Sequence, residues 1–283
     1  MRILKLEMPR MTGPDVTDWQ QFLAKRGLYS GPIDGTFSPE TAAATRAYQS
    51  SQTLGVDGVV GSLTLLRAVQ DGFQSSTRVI TLGMDASANC TSPLSCIAAA
   101  GMKFVVRYYA AQATPKRLSL VEAKAISAAG LKLLVVYQDK QDDIASFSGA
   151  KGQAGAKKAL ELAGTIGQPS GSAIYFSVDF DPSTLEVRGP ITEYFHAVNK
   201  VFSAAAPSYR VGVYGSGLTC RILRDSSLAS FAWLAGSSGF RESNTFRPRA
   251  HLLQVAPARN ICAGKLNIDD DFAFTDDFGA FNI

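Results

Sequence analysis

The chain has 283 residues, 46% of them hydrophobic, and its 28 Lys and Arg against 24 Asp and Glu give a net charge of +4. Such a composition is typical of one or two globular domains, and no apolar run approaches the roughly 20 residues that a membrane span requires. The positive excess is small and no Lys- or Arg-rich run interleaved with aromatic residues occurs, so nothing indicates nucleic-acid binding.

The first predicted element is a helix in DVTDWQQFLAKRGL. Val16, Trp19, Phe22 and Leu23 recur there at helical spacing, and Gly27 ends the pattern. The helix therefore presents one apolar face to a small core.

An internal repeat follows this helix. Asp34 and Gly35 of the first copy correspond to Asp57 and Gly58 of the second, and a helix start comes after each pair. Asp-Gly pairs are typical of tight turns, and Ser38 is placed to cap the helix of the first copy. We predict three short helices joined by two Asp-Gly turns.

The stretches DVTDWQQFL, IDGTFS and VDGVVG resemble the peptidoglycan-binding domain 1 family, over nearly all of residues 8–72. The resemblance implies binding to bacterial peptidoglycan, with contacts from the loops after the two Asp-Gly turns. We assign residues 1–73 to a small three-helix peptidoglycan-binding domain and the polar residues 74–78 to a linker. A helical spacer without a ligand is the alternative.

From residue 79 onward, short β-branched and aromatic runs alternate with Ala- and Leu-rich stretches of helical period. This alternation predicts an α/β domain over residues 79–283, built as a small (β/α)8 TIM-like barrel with a parallel sheet. No helical pattern separates the sixth and seventh runs, so the barrel is expected to be irregular in its last third. The eight runs are VITLGMDAS, FVVRYYA, KLLVVYQD, AIYFSVDFD, RVGVYGS, FAWLAGS, HLLQVAP and LNIDDDFAF.

Carboxylates follow these predicted strands, where the reactive groups of such barrels lie. Asp85, Asp139, Asp179 and Asp181 end strands, and three more occupy positions 269–271. Side chains two apart in a strand share a face, so Asp179 and Asp181 are predicted to point into one site. Two close carboxylates raise the pKa of one of them, which suits a general acid beside a charged partner. A helix-capping role for the pair is the alternative.

The runs GMDAS, IYFSVDFD, VGVYGSG, WLAGS, LLQ and NIDDDFAF are similar to a glycoside-hydrolase-like domain long catalogued as a domain of unknown function. That domain is similar in turn to the family 25 glycoside hydrolases, the Chalaropsis-type lysozymes, and the resemblance covers residues 79 to about 278. It implies that Asp181 is the general acid and Asp179 its charged partner, with Asp85 and Asp269 orienting substrate or water. Asp181 stands where the lysozymes have a longer glutamate, so a non-catalytic glycan-binding protein is the alternative.

Five further side chains are predicted to bind substrate. The rings of Tyr137, Tyr214 and Trp233 are expected to line the groove and stack on sugars. Arg107, at the end of the second strand, is expected to bind an acetyl or lactyl group or to pair with a site carboxylate, with a structural ion pair as the alternative. Gln254 is similarly placed on the seventh strand.

All four cysteines lie after the linker, and an even number allows two disulfides or four thiols. Cys90 and Cys96 are close enough in sequence to close a short loop. Cys220 would then pair with Cys262.

Other hydrolase classes find little support. Only His196 and His251 are available, and neither lies in a ligand-spaced motif, so we expect no metal, no cofactor and neither a zinc amidase nor a Cys-His peptidase. A serine hydrolase around YGSG is disfavoured because Tyr214 stands where a nucleophile elbow needs glycine.

The two resemblances together imply a peptidoglycan hydrolase, a lysozyme-like muramidase that cleaves β-1,4 glycosidic bonds, and we expect it to be a monomer. Its start, MRILKLEMPRMTGPD, lacks the apolar core of a secretory signal. We therefore expect delivery to the cell wall by phage lysis or by a secretion system.

Overall fold

The computed structural model describes all 283 residues, and they form two compact units, residues 1–80 and residues 81–283. The second unit is a mixed α/β domain around a closed barrel of eight strands. No helix in either unit combines the length and the apolar character that a bilayer crossing requires.

Helices α1 (Pro14–Lys25), α2 (Pro39–Ser51) and α3 (Ser62–Gln70) organise the first unit. As predicted, Ser38 caps α2, because its Oγ accepts the backbone N–H of Thr41, in the first turn of the helix, at 3.2 Å. The helices enclose an aromatic core in which neighbouring ring centroids lie 5.3 to 5.8 Å apart. Its members are Trp19, Phe22, Tyr48 and Phe73.

One buried glutamine organises each copy of the repeat. Gln20 Oε1 accepts the backbone N–H of Gly35 at 2.9 Å, and Gln49 Oε1 accepts that of Gly58 at 2.8 Å. Each glutamine also donates from its amide group to the aspartate of its own turn and to a nearby carbonyl. Both glycines have positive φ, 71° and 76°, which favours glycine there. The sequence repeat is therefore a structural repeat, with each Asp-Gly turn held from inside.

The strands of the second unit are hydrogen-bonded in chain order, and all eight predicted runs form strands. Strands β1 to β7 are parallel, whereas β8 is antiparallel to both β7 and β1. The expectation of a parallel sheet is therefore wrong for the last strand, because a hairpin rather than a crossover helix joins it to β7. The strands are β1 (Thr81–Asp85), β2 (Phe104–Tyr109), β3 (Lys132–Tyr137), β4 (Ala173–Ser177), β5 (Arg210–Gly215), β6 (Phe231–Leu234), β7 (Leu252–Ile261) and β8 (Leu266–Ala273).

Helices connect the parallel strands and become short toward the end of the chain, as the sequence predicted for the last third. Between β6 and β7 there is only one four-residue helix followed by a single 3-10 turn, Arg247–Arg249. The helices are α4 (Leu94–Ala99), α5 (Leu120–Ala128), α6 (Gly149–Ile166), α7 (Thr184–Glu186), α8 (Thr192–Ser203), α9 (Gly217–Asp225) and α10 (Ser243–Phe246). A 3-10 turn, Ile144–Ser146, precedes α6, and a π-helical segment, Val187–Ile191, joins α7 to α8.

Large rings fill the barrel, and two strand glycines make room for them. A Cβ at Gly83 would lie 2.4 Å from the ring of Phe104, and a Cβ at Gly212 would lie 2.5 Å from the ring of Tyr175. Both rings belong to the buried cluster of the barrel interior. The interior is thus a packed core, and the functional groups gather above it.

The disulfide pairing differs from the one expected. Cys96 in α4 bonds to Cys262 in the turn between β7 and β8, with a Cα–Cα distance of 5.8 Å, while Cys90 and Cys220 are buried free thiols. The pairing of Cys90 with Cys96 and of Cys220 with Cys262 is therefore wrong. Closeness in sequence misled the prediction, because the β7–β8 hairpin carries Cys262 to a helix 166 residues away in the chain.

We expect that replacing both Cys96 and Cys262 by Ala lowers the free energy of unfolding of the second unit by about 3 kcal/mol, because a long covalent loop restricts the unfolded chain. Urea unfolding with and without reductant measures the effect. Reductant should lower the wild-type midpoint toward that of the double variant and leave the double variant unchanged. A wild-type midpoint that is insensitive to complete reduction would contradict the expectation.

Candidate active site

A cavity of about 230 Å³ opens at the carboxyl ends of strands β2 to β6. Aromatic rings line it together with several polar groups, and both kinds of side chain are found in sites for small ligands. The lining residues are Tyr108, Val136, Gln138, Ser177, Asp179, Tyr214, Trp233, Gln254 and Asp269.

Asp85, the last residue of β1, lies behind two of the lining side chains and is only 3% exposed. Tyr108 Oη donates to its Oδ1 and Gln254 Nε2 to its Oδ2, both at 2.8 Å. Burial raises the pKa of Asp85 to about 7; the charge of Asp269 adds to this rise, and the two hydrogen bonds oppose it. Asp85 is therefore a carboxyl group that titrates near neutral pH.

Asp179 lies two residues beyond the end of β4 and lines the cavity. Gln138, just after β3, donates from Nε2 to its Oδ2 at 2.8 Å. The backbone N–H of Asp179 donates to the carbonyl of Gln141 at 2.9 Å. These contacts fix the carboxylate at the mouth of the cavity.

Strand β8 contributes two carboxyl groups to the same end of the barrel, because its antiparallel course places Asp269 opposite Asp85. Asp269 is partly buried, and its pKa is raised by burial first and then by neighbouring carboxylates. Asp271 is fully buried; Trp233 Nε1 donates to its Oδ1 at 2.8 Å, and its Oδ2 has no hydrogen-bond partner. Burial and the charge of Asp85 raise the pKa of Asp271 well above its usual value. No group of three or more His, Cys, Asp or Glu side chains is arranged to hold a metal ion.

The structure does not bring Asp181 into the cavity. Its Oδ1 accepts the backbone N–H of Arg241 at 2.8 Å, and its Oδ2 accepts the guanidinium of Arg241 at 2.8 Å. Strand β4 ends at Ser177, so the two-residue alternation that predicted a common face for Asp179 and Asp181 no longer applies. Asp181 faces an arginine at the surface while Asp179 faces the cavity.

Arg107 and Tyr137 also lie away from the cavity. Arg107 is fully buried and donates to Glu122 of α5 at 2.7 Å, so it forms the structural ion pair that was the alternative. Tyr137 packs against Phe176 with ring centroids 5.6 Å apart, and its hydroxyl donates to Asp139. Side chains alternate between the two faces of a strand, and those of Arg107 and Tyr137 point to the face opposite to that of the adjacent cavity-lining residues.

The remaining predicted substrate-binding residues do line the cavity. Tyr214 Oη donates to Gln254 Oε1 at 2.8 Å, and Gln254 in turn holds Asp85. The rings of Tyr214 and Trp233 meet with centroids 4.6 Å apart. Trp233 is only 2% exposed, so Tyr214 offers the more accessible ring for a sugar.

Several side chains at the site were not predicted. Tyr108, Gln138 and Ser177 line the cavity, and Lys116 Nζ donates to Gln138 Oε1 at 2.7 Å. Strand alternation was the available signal: residues 108, 136 and 138 share the phase that faces the barrel axis, whereas 107 and 137 have the opposite phase.

Two family models match the chain. Residues 95–273 match the model described as "Rv2525c-like, glycoside hydrolase-like domain", and residues 12–67 match the one described as "Putative peptidoglycan binding domain". These matches confirm both resemblances in the sequence, apart from the link to family 25.

Among curated proteins, "Putative peptidoglycan hydrolase Rv2525c" of Mycobacterium tuberculosis is 30% identical over 171 residues, which are 58% of this chain and 69% of that protein. The uncharacterized proteins YbfG and FadG of Bacillus subtilis are 29% and 26% identical over 74% and 75% of this chain. The chain spans only 30% and 38% of the length of those two proteins. The crystal structure of the Tat-secreted M. tuberculosis protein Rv2525c with HEPES superimposes with a TM-score of 0.61 at 28% identity, covering 71% of this chain and 98% of that one.

Proposed function

Because the chain belongs to the family of Rv2525c-like, glycoside hydrolase-like domains, we propose that it hydrolyses the glycan strands of bacterial peptidoglycan as a lysozyme-like muramidase. One observation carries this proposal: Asp179 and Asp269 line a single cavity together with the ring of Tyr214. Hydrolysis of a glycosidic bond uses two carboxyl groups, and an aromatic ring beside them can stack on a sugar. The irregular barrel, a (β/α)8 TIM-like fold with a reversed last strand, brings them together.

In this proposal Asp269 is the general acid, because burial and neighbouring charges raise its pKa and so favour the protonated form. Asp269 gives its proton to the glycosidic oxygen, and the bond between that oxygen and the anomeric carbon breaks. A water oxygen bonds to the anomeric carbon and its proton passes to Asp179, which Gln138 holds in place. Exchange with solvent returns a proton to Asp269 and removes one from Asp179.

The buried carboxyl groups support this chemistry. Asp85 and Asp271 lie close enough to Asp269 for the charge of Asp269 to raise the pKa of each of them. A negative charge on one of these carboxyl groups disfavours ionisation of its neighbours, so together the carboxyl groups retain protons near neutral pH. Asp181 supports the site indirectly, because its ion pair with Arg241 holds the segment that follows Asp179 in place.

We further propose that the first unit anchors the enzyme to its polymer. Residues 12–67 match a peptidoglycan-binding model, and linkage to a binding module raises the effective concentration of the hydrolase on an insoluble substrate. The protein would act as a monomer on the cell wall, outside the cytoplasm, after secretion or phage lysis. The Tat secretion of the relative Rv2525c supports an extracytoplasmic site of action.

The first experiment compares binding with cleavage. The full chain is incubated with purified peptidoglycan, the wall is pelleted, and bound protein and newly formed reducing ends are both measured. We expect co-pelleting together with a steady release of reducing ends. Co-pelleting without any release, at every pH from about 4 to 8, would instead favour a non-catalytic glycan-binding protein.

A further inference from the structure

Lys116 lies in the loop between β2 and α5, which no part of the proposed chemistry uses. Its side chain is folded toward the cavity rather than extended into solvent. Nζ donates to Gln138 Oε1 at 2.7 Å and lies 4.2 Å from the centroid of the Tyr108 ring. A lysine held by a hydrogen bond and a cation–π contact at once is more restricted than an ordinary surface lysine.

The two side chains that Lys116 contacts each donate a hydrogen bond to a different carboxyl group. Gln138 donates from Nε2 to Asp179, and Tyr108 donates from its hydroxyl to Asp85, both at 2.8 Å. One ammonium group therefore contacts the side chain that holds Asp179 and one of the two side chains that hold Asp85.

The chemistry of the amide explains why a cation is needed at this position. A glutamine side chain can present either its oxygen or its NH2 group to a neighbour, and only the NH2 group can donate to a carboxylate. The ammonium of Lys116 has donors and no acceptor, so it binds only the oxygen of Gln138. The NH2 group of Gln138 is thereby turned toward Asp179.

We propose that Lys116 is a positioning residue, which orients Gln138 and Tyr108 so that Asp179 and Asp85 keep their places at the cavity. Its effect on turnover rests on the proposed hydrolase function, whereas its effect on the orientation of Gln138 does not. Burial lowers the pKa of Lys116, and the charge of Arg107 acts in the same direction. The charges of Asp179, Asp85 and Asp139 oppose this shift.

The test uses Lys116→Met, which keeps the length of the side chain but removes the charge and the donors, and Lys116→Arg, which keeps both. Lys124→Met, an exposed lysine on α5, is the matched control. With soluble peptidoglycan fragments we expect Lys116→Met to lower kcat about tenfold with little change in KM, as loss of alignment does. Lys116→Arg should recover most of the loss, and Lys124→Met should behave as wild type.

A second readout does not depend on activity. NMR of the Gln138 side-chain NH2 group should show an ordered group in wild type and Lys116→Arg, and a mobile one in Lys116→Met. An unchanged Gln138 signal in folded Lys116→Met would overturn the proposal, as would a raised KM with an unaltered kcat, which indicates a direct contact with substrate. If wild type hydrolyses nothing, the hydrolase function fails, and the Gln138 signal alone decides the role of Lys116.

Discussion

Replacing Asp179 by Asn is expected to lower the rate of glycan hydrolysis by about two to four orders of magnitude, whereas replacing Asp181 by Asn should lower it by less than about tenfold. The difference arises because Asp179 lines the cavity and is held there by Gln138, while both oxygens of Asp181 face Arg241. Asn keeps the shape of either side chain, removes the charge and the basic oxygen that could take a proton, and replaces one oxygen by an NH2 group. Initial rates of reducing-end release from purified peptidoglycan, at equal bound protein, measure the two effects.

Asp181→Asn is the matched control for Asp179→Asn, because the two residues are close in sequence and carry the same substitution. The Asp181–Arg241 ion pair is partly exposed, so its loss should change stability by less than about 1 kcal/mol. Equal inactivity of folded Asp179→Asn and Asp181→Asn would contradict the assignment. It would return Asp181 to the general-acid role that the resemblance to the lysozymes implies.

The second expected effect is on stability: the contribution of Asp85 to the free energy of unfolding should fall by about 2 to 4 kcal/mol as the pH rises from about 4 to 8. The pKa of Asp85 in the folded protein is about 7, above that of an aspartate in an unfolded chain, which is about 3.9. Between these values the native state holds a proton that the unfolded state has released. The stabilising contribution is therefore complete below about pH 4 and is lost as the pH rises through 7.

Urea unfolding of wild type, Asp85→Asn and Asp276→Asn across this pH range measures the contribution. Asp276 is exposed and serves as the control. Between about pH 4 and 8 the free energy of unfolding should fall by about 2 to 4 kcal/mol less in Asp85→Asn than in wild type, and the fall that remains is due to Asp269 and Asp271, whose pKa values are also raised. The amide group introduced at position 85 would face the amide group of Gln254, which should lower the free energy of unfolding by about 1 kcal/mol at every pH. The pH dependence of this free energy is not affected by that cost. Equal pH dependence in Asp85→Asn and wild type would show that folding does not raise the pKa of Asp85.

The fold could be predicted in large part because strand and helix periods are local properties of the sequence. All eight strands were expected, and so was the loss of regularity after the sixth. The direction of β8 was missed because it depends on the four-residue turn that joins Ile261 to Leu266, and that turn carries no Asn-Gly or Asp-Gly signal. The disulfide was missed for a related reason, since the hairpin alone brings Cys262 to Cys96.

Several residues of the candidate site could be located from the sequence because they lie in a strand or just beyond its end. Asp179, Asp269, Tyr214, Trp233 and Gln254 therefore line the cavity, with Asp85 behind it. Asp181 lies beyond the point where strand alternation holds, and Arg107 and Tyr137 have the opposite strand phase. The alternation of side chains along a strand would also have predicted Asp271, which lies two residues from Asp269 and so shares its face. Lys116 and Arg241 could not, because their loops are placed by tertiary contacts.

Mass spectrometry of the soluble products from a defined peptidoglycan shows whether this cavity cleaves the glycan strand. We expect disaccharide-peptide fragments with a muramic acid at the reducing end, formed by wild type and absent with Asp179→Asn. Fragments that end in N-acetylglucosamine would contradict the muramidase assignment. Free peptides released from intact glycan strands would contradict glycosidic hydrolysis altogether.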